Sequence, residues 1–259
     1  MSRFKTSKYK NAYSYVYKKE FWINDLKVGS NLKSNSNHIK ASCSFIAFHH
    51  DSTSVGSLAV LPLDSCGRFT SFPLVSGHSG FVTDFDFSSF HDNLLATGGE
   101  DCLVKIWSIP GGGVSGSLTT PTSTLSHMEA KVENLLFHPT ADNILGIAAG
   151  TAVKVWDVEH TAEKYALGGH EEAVQSFSWH GDGSQLASIC KSKNQKKIRI
   201  FDPRAGTCVS VSVPYSSLVR DELMIFMSAG GVWSQWAERR RESSGWETVT
   251  TSQLPASTL

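Results

Sequence analysis

The stretch Gly98-Gly99-Glu100-Asp101-Cys102-Leu103-Val104-Lys105-Ile106-Trp107, GGEDCLVKIW, sets two glycines and a carboxylate pair ahead of a β-branched run that ends on tryptophan. Glycine and aspartate favour a tight turn, and the run after them has the composition of a strand. Two more short apolar runs precede it, FVTDFDF at 81–87 and LLATGG at 94–99, so the turn joins the second and third strands of a three-strand unit.

The unit recurs. His78 follows Gly77 and lies 29 residues before Trp107; His127 lies 29 residues before Trp156, which Asp157 follows. A third copy runs from Gly169-His170 to Phe201-Asp202, 31 residues on, with the polar stretch KSKNQKK taking up the difference. The copies start 43 to 49 residues apart and share the order of runs: KVENLLF, NILGIAA and AVKVW in the second, AVQSFSW, QLASIC and KIRIF in the third. A fourth, less regular strand is expected after each copy, around SLTTPTSTL, EKYALGG and TCVSVSV. Four short strands per 43 to 49 residues describe a propeller blade, and the Gly-His and Trp-Asp punctuation resembles WD40 repeats. Upstream, CSFIAFHH, GSLAVLPL and RFTSFPLV read as an earlier, degenerate blade. The expected fold class is all-β, a partial WD40 β-propeller of about three blades plus that degenerate one.

In the WD40 pattern a His before the first strand, a Ser or Thr on the second, an Asp in the following turn and a Trp on the third form a buried hydrogen-bonded set. His78, Thr97, Asp101 and Trp107 match all four positions. Their chemistry is complementary: the indole only donates, the hydroxyl donates and accepts, the imidazole bridges and the carboxylate accepts. The second copy keeps His127 and Trp156 but reads Gly150 at the turn and Gly146 where the hydroxyl would be. The third keeps His170 and Ser188, with no acid in its turn and Phe201 for the Trp. A catalytic or metal-binding reading of Glu100-Asp101-Cys102 lacks a second cysteine at ligand spacing and a base for Cys102.

CKSKNQKKIRIFDPRAGT resembles the coronin motif in which Cys-Lys-x-Lys precedes Phe-Asp-Pro-Arg, carried here by residues 190–191, 193 and 201–204. FHPTADNILGIAAGTAVKVWD is similar to the coronin blade whose Ala-Ala-Gly-Thr turn replaces the Asp, and RFKTSKYKN, FWINDLKVG and NHIKASCSFIAF resemble the basic leader of that family, most closely its long tandem-propeller branch. The resemblance covers residues 1 to about 213. It implies a non-catalytic protein that binds actin filaments (F-actin), with a place in the cytosol and in Golgi and endosomal traffic, and contacts to other proteins through blade surfaces. It further implies a filament contact at Lys27 in NDLKV, where shorter coronins carry arginine; lysine keeps the charge and loses the bidentate fork.

Composition agrees with a partner of opposite charge. The chain has 259 residues and a formal net charge of zero, yet residues 1–40 hold nine Lys/Arg against two acids, leaving fifteen basic and twenty-two acidic residues in the rest. Arg3, Lys5, Lys8 and Lys10 interleave with Phe4, Tyr9 and Tyr13 in that leader. Actin filaments, nucleic acids and anionic lipids all present acidic surface, and a charge run is also a solvated face; the resemblance favours actin, so no nucleic acid is expected, while peripheral membrane association stays open. Five cysteines with no C-x-x-C suit a reducing compartment, and no apolar stretch is long enough for a signal peptide or a membrane span, so the expected location is cytoplasmic.

The resulting division is a leader at 1–40, a degenerate blade at 41–76, three repeats at 77–213 and a divergent tail at 214–259, expected to be partly helical near SLVRDELMIFMSA and disordered beyond it. The tail shows no further Gly-His, which reads as a truncated or alternatively ended product with two open blade faces, poorly stable or prone to associate. GGGVSG at 111–116 satisfies a dinucleotide-loop pattern, but the following SLTTPTST is β-branched and holds Pro121, so a loop is expected. His49-His50-Asp51 offers no cluster at metal spacing, and His138 and His180 read as turn residues. No metal, cofactor or catalytic residue is expected.

Overall fold

A computed structural model of the chain describes residues 18–24, 37–50, 55–69, 71–126, 128–191, 196–213 and 247–250. Lys27, Arg3, Lys5, Lys8, Lys10, His127 and the helix expected near SLVRDELMIFMSA lie outside them. The described residues are strands and turns apart from one short 3-10 turn at Lys19–Phe21. The strands are β1 (Ile23–Asn24), β2 (Ile39–Ala41), β3 (Phe45–Phe48), β4 (Ser57–Pro62), β5 (Gly67–Arg68), β6 (Leu74–Ser76), β7 (Val82–Phe87), β8 (Leu94–Gly99), β9 (Val104–Ser108), β10 (Ser117–Leu118), β11 (Ser123–Leu125), β12 (Val132–Phe137), β13 (Ile144–Ala149), β14 (Ala152–Asp157), β15 (Ala162–Leu167), β16 (Val174–Trp179), β17 (Leu186–Lys191), β18 (Lys196–Asp202), β19 (Thr207–Val213) and β20 (Glu247–Thr250).

They build four successive sheets and one small parallel pair, β1 with β5. The first sheet runs β10-β6-β4-β3-β2, the second β11-β9-β8-β7, the third β12-β13-β14-β15 and the fourth β16-β17-β18-β19-β20. Strands β2, β7, β12 and β16 are the inner edges and lie beside one another in that order. This is the radial stacking of propeller blades, so the fold is an all-β partial propeller.

Both faces of the second and third sheets meet another sheet, so their strands bury residues on both sides. Phe45, Leu58 and Val60 of the first sheet pack on Phe85, Leu95 and Trp107 of the second. Ala96, Val104 and Ile106 on the other face of the second meet Leu135, Leu145 and Trp156 of the third. Val153 and Val155 of the third meet Phe177, Trp179 and Phe201 of the fourth.

Several expectations change at the edges of this stack. SLTTPTSTL does not form one outer strand: β10 pairs in parallel with β6 of the first sheet and β11 with β9, and Pro121, which has no N–H to give to a ladder, stands between them. The first sheet also takes in Ile39 and Lys40, residues the sequence assigns to the leader. Its outward face is not bare, because Ile23, Phe69 and Phe72 pack against Phe48, Ala59 and Leu61. On the fourth sheet Ala187, Ile189, Ile198 and Ile200, at positions that the second sheet turns toward its successor, are 0–7% exposed. GGGVSG is followed by the short strand β10 and not by a helix.

Candidate functional site

The turn between β8 and β9 places Asp101 against His78, which sits in the loop leading into β7. His78 Nδ1 lies 2.9 Å from Asp101 Oδ1 and 3.0 Å from Oδ2, and its Nε2 lies 2.8 Å from Thr97 Oγ1. Trp107 Nε1 donates to the same hydroxyl at 2.9 Å. Asp101 also accepts the backbone N–H groups of Ser79 at 3.0 Å and Leu103 at 3.3 Å. The turn closes with Cys102 at a φ of 61°. Gly99 is required beside it, since a Cβ there would stand 2.6 Å from both Asp101 Oδ1 and His78 Nδ1.

Burial pushes the His78 imidazole below its ordinary value, against the pull of Asp101, and so holds it neutral. The proton assignment follows: Nδ1–H donates to the carboxylate and the Nε2 lone pair accepts the Thr97 O–H, while Thr97 accepts the indole N–H. Burial would raise the Asp101 carboxyl, but the hydrogen bonds from His78, Ser79 and Leu103 outweigh it and hold it below the usual range. Hydroxyl, imidazole and carboxylate in line have the order of a hydrolase triad. Here the hydroxyl is 1% exposed and its oxygen already receives an N–H, so no face is open to an incoming carbonyl. Asp101→Ala is expected to cost about 1–3 kcal/mol by leaving His78 Nδ1–H without its acceptor, with Asp101→Asn milder because its amide oxygen still accepts; urea denaturation of the three proteins measures both.

The other copies are built differently. His170 Nε2 meets Ser188 Oγ at 2.7 Å, but its Nδ1 reaches Thr151 O at 2.9 Å in the preceding sheet. A carbonyl can only accept, so Nδ1 carries the hydrogen, and burial pushes this imidazole down to about 4. The missing turn acid is thus replaced by a backbone oxygen of the neighbouring sheet. In the third sheet the position of the hydroxyl is Ile147, not Gly146: Thr97 pairs with Phe85 and Lys105, and Ile147 pairs in the same way with Leu135 and Lys154. The turn of this copy is one residue shorter, which displaced the reading. Trp156 is 3% exposed in the apolar interface. Gly146 has another task, since a Cβ on it would stand 2.7 Å from Phe177 Cε2 of the fourth sheet.

Two features were not foreseen. Asp84 Oδ2 on β7 accepts Leu135 N at 2.8 Å and Asn134 Nδ2 at 2.6 Å, and Asn134 Oδ1 on β12 accepts Phe177 N at 3.2 Å. Asp86 Oδ2 accepts Phe137 N at 2.9 Å, and its Oδ1 lies 3.2 Å from Lys40 Nζ of β2. Inner-edge strands carry N–H groups with no ladder partner, and the preceding sheet supplies acceptors. The available signal is a polar residue at the third place of each first strand: Asp84, Asn134 and Ser176. His138, read as a turn residue, accepts Ala141 N on Nδ1 at 2.9 Å and meets Gly183 O of the fourth sheet with Nε2 at 3.0 Å. His49 likewise bonds Val82 O at 2.9 Å. Among the described residues no group of three or more His, Cys, Asp and Glu side chains could hold a metal ion, and no helix is long and apolar enough to cross a membrane.

Residues 2–68 match a family model described as a domain of unknown function, DUF1899. Residues 67–108 and 162–202 match the WD domain, G-beta repeat; strands β12–β14 of the copy without hydroxyl or turn acid fall between these spans. The chain is 39% identical over 264 residues to Coronin-7 of Homo sapiens, covering 99% of this chain and 28% of that protein. It is 36% identical over 223 residues to Coronin-A of Dictyostelium discoideum, covering 86% of this chain and 49% of that one. The crystal structure of the WD40 domain from Toxoplasma gondii coronin superposes with a TM-score of 0.67 at 28% identity, covering 75% of this chain and 49% of that chain. The chain therefore spans between about a quarter and a half of these proteins. The human alignment extends past Val213, beyond the span of residues 1 to about 213 over which the sequence motifs carry the resemblance. Leader, repeats and sheet stack all point to one set of proteins, and the chain belongs to the coronin family.

Proposed function

We propose that the chain is a non-catalytic, actin-filament-binding protein of the cytoskeleton, with its basic leader as the electrostatic contact. Family membership over nearly the whole chain carries this reading. Two further observations support it. The hydroxyl-imidazole-carboxylate arrangement of Thr97, His78 and Asp101 is buried between two sheets with its hydrogen bonds already used. Residues 1–40 hold nine basic residues against two acids, and of these Lys40 is taken up by Asp86. The reading includes a cytoplasmic location with a role in Golgi and endosomal traffic, drawn from the likeness to Coronin-7.

Cosedimentation with actin filaments across a salt series tests it. The chain is expected to pellet at low salt and to be released as salt rises, since exposed charge contacts are screened within about 10 Å at 0.1 M. Lys27→Glu is expected to reduce the pelleted fraction several-fold at low salt. No pelleting at low salt would leave a WD40 scaffold for other proteins as the better account; salt-sensitive pelleting indifferent to Lys27 would move the contact elsewhere in the leader.

A further inference from the structure

The inner-edge contacts contain a charge imbalance. Lys40 of β2 supplies one ammonium, and Asp84 and Asp86 of β7 supply two carboxyl groups to the same seam. Asn134 and the Leu135 and Phe137 N–H groups of β12 face them from the other side. Asp84 is 1% exposed; its Oδ2 takes two hydrogen bonds, whereas its Oδ1 is buried with no hydrogen-bond partner. An ionised oxygen in that state costs several times more than a neutral acid whose hydroxyl goes unused.

We propose that the Asp84–Asp86 pair holds one proton shared against Lys40, and that this proton sets how tightly the first three sheets are clamped along their inner edges. With the proton present, one ammonium faces one carboxylate and the seam is neutral and dry. Without it, the seam carries a net negative charge that draws water in between β7 and β12. Burial pushes Asp84 up to about 7, with Lys40 pulling the other way, and Asp86 is raised for the same reason; the two carboxyls titrate as a coupled pair. The sign is that of a carboxyl raised on folding: the stability it contributes is present at acid pH and lost as pH rises through the folded value. His49, which lies against β7 through Val82 O, has its imidazole lowered by burial.

Amide hydrogen exchange on the full chain, corrected for the intrinsic pH dependence, tests this between about pH 6 and about pH 8.5. Protection at Leu135 and Phe137 is expected to fall several-fold across that range in the wild type and to stay level in Asp84→Asn, which keeps an acceptor for Leu135 but cannot ionise. The Phe177 amide, whose acceptor is the uncharged Asn134, is the internal reference and is expected to change less. Level protection in the wild type, or an equal fall in Asp84→Asn, would overturn the proposal. Should Asp84→Asn fail to fold, Lys40→Met decides: removing the ammonium is expected to move the midpoint to higher pH, and an unmoved midpoint would overturn it.

Discussion

Trp107→Ala is expected to lower the unfolding free energy by about 3–5 kcal/mol, a large part of the roughly 5–15 kcal/mol available to a domain. The ring is 0% exposed between the first and second sheets, and its tip lies so close to Gly77 that a Cβ there would stand 2.8 Å from Cη2. Two milder variants separate packing from hydrogen bonding. Trp107→Phe removes the indole N–H and part of the ring. Thr97→Val keeps the volume and removes the hydroxyl, leaving both the Trp107 N–H and the His78 Nε2 without partners, at about 1–3 kcal/mol for each buried group left unsatisfied. Urea denaturation followed by far-UV circular dichroism ranks the three. A Thr97→Val protein as stable as the wild type would mean that the hydroxyl is not the hub of the set.

Phe177→Ala carries the other large effect, also about 3–5 kcal/mol, because its ring is 0% exposed and joins the third sheet to the fourth. Gly146→Val should destabilise by overpacking, about 1–3 kcal/mol, since the added carbons enter the space of that ring. Combined, the two changes are expected to cost less than their sum, as the added side chain fills part of the cavity left by the ring. The coupling from the four-protein cycle measures this contact directly; strict additivity would mean that the ring and Gly146 do not share space.

The His78, Thr97, Asp101 and Trp107 positions were legible because the spacing of four residue types with complementary donors and acceptors is a pattern in the chain itself. The register of the third sheet was not. Whether Gly146 or Ile147 stands opposite Lys154 depends on the turn being one residue shorter, and turn length is set by backbone geometry that no side chain announces. Asp84 and Asp86 escaped for a different reason. Alternation along a strand reads every second polar residue as facing water, whereas in radially stacked sheets those residues face the next inner edge and accept its free N–H groups. His138 looked like a turn residue and is one, but its second nitrogen crosses to the fourth sheet. The parallel pairing of β10 with β6 joins residues about 43 apart and has no local sequence cue.

The central claim is a division of labour: the set around His78 holds the sheets, and the leader meets the filament. Cosedimentation of wild type, Asp101→Ala and Lys27→Glu with actin filaments at low salt, at a temperature where all three are folded by circular dichroism, tests that claim most directly. Asp101→Ala should pellet as the wild type does despite its lower stability, and Lys27→Glu should stay largely in the supernatant despite unchanged stability. The reverse result, with folded Asp101→Ala losing the filament and Lys27→Glu keeping it, would contradict the account.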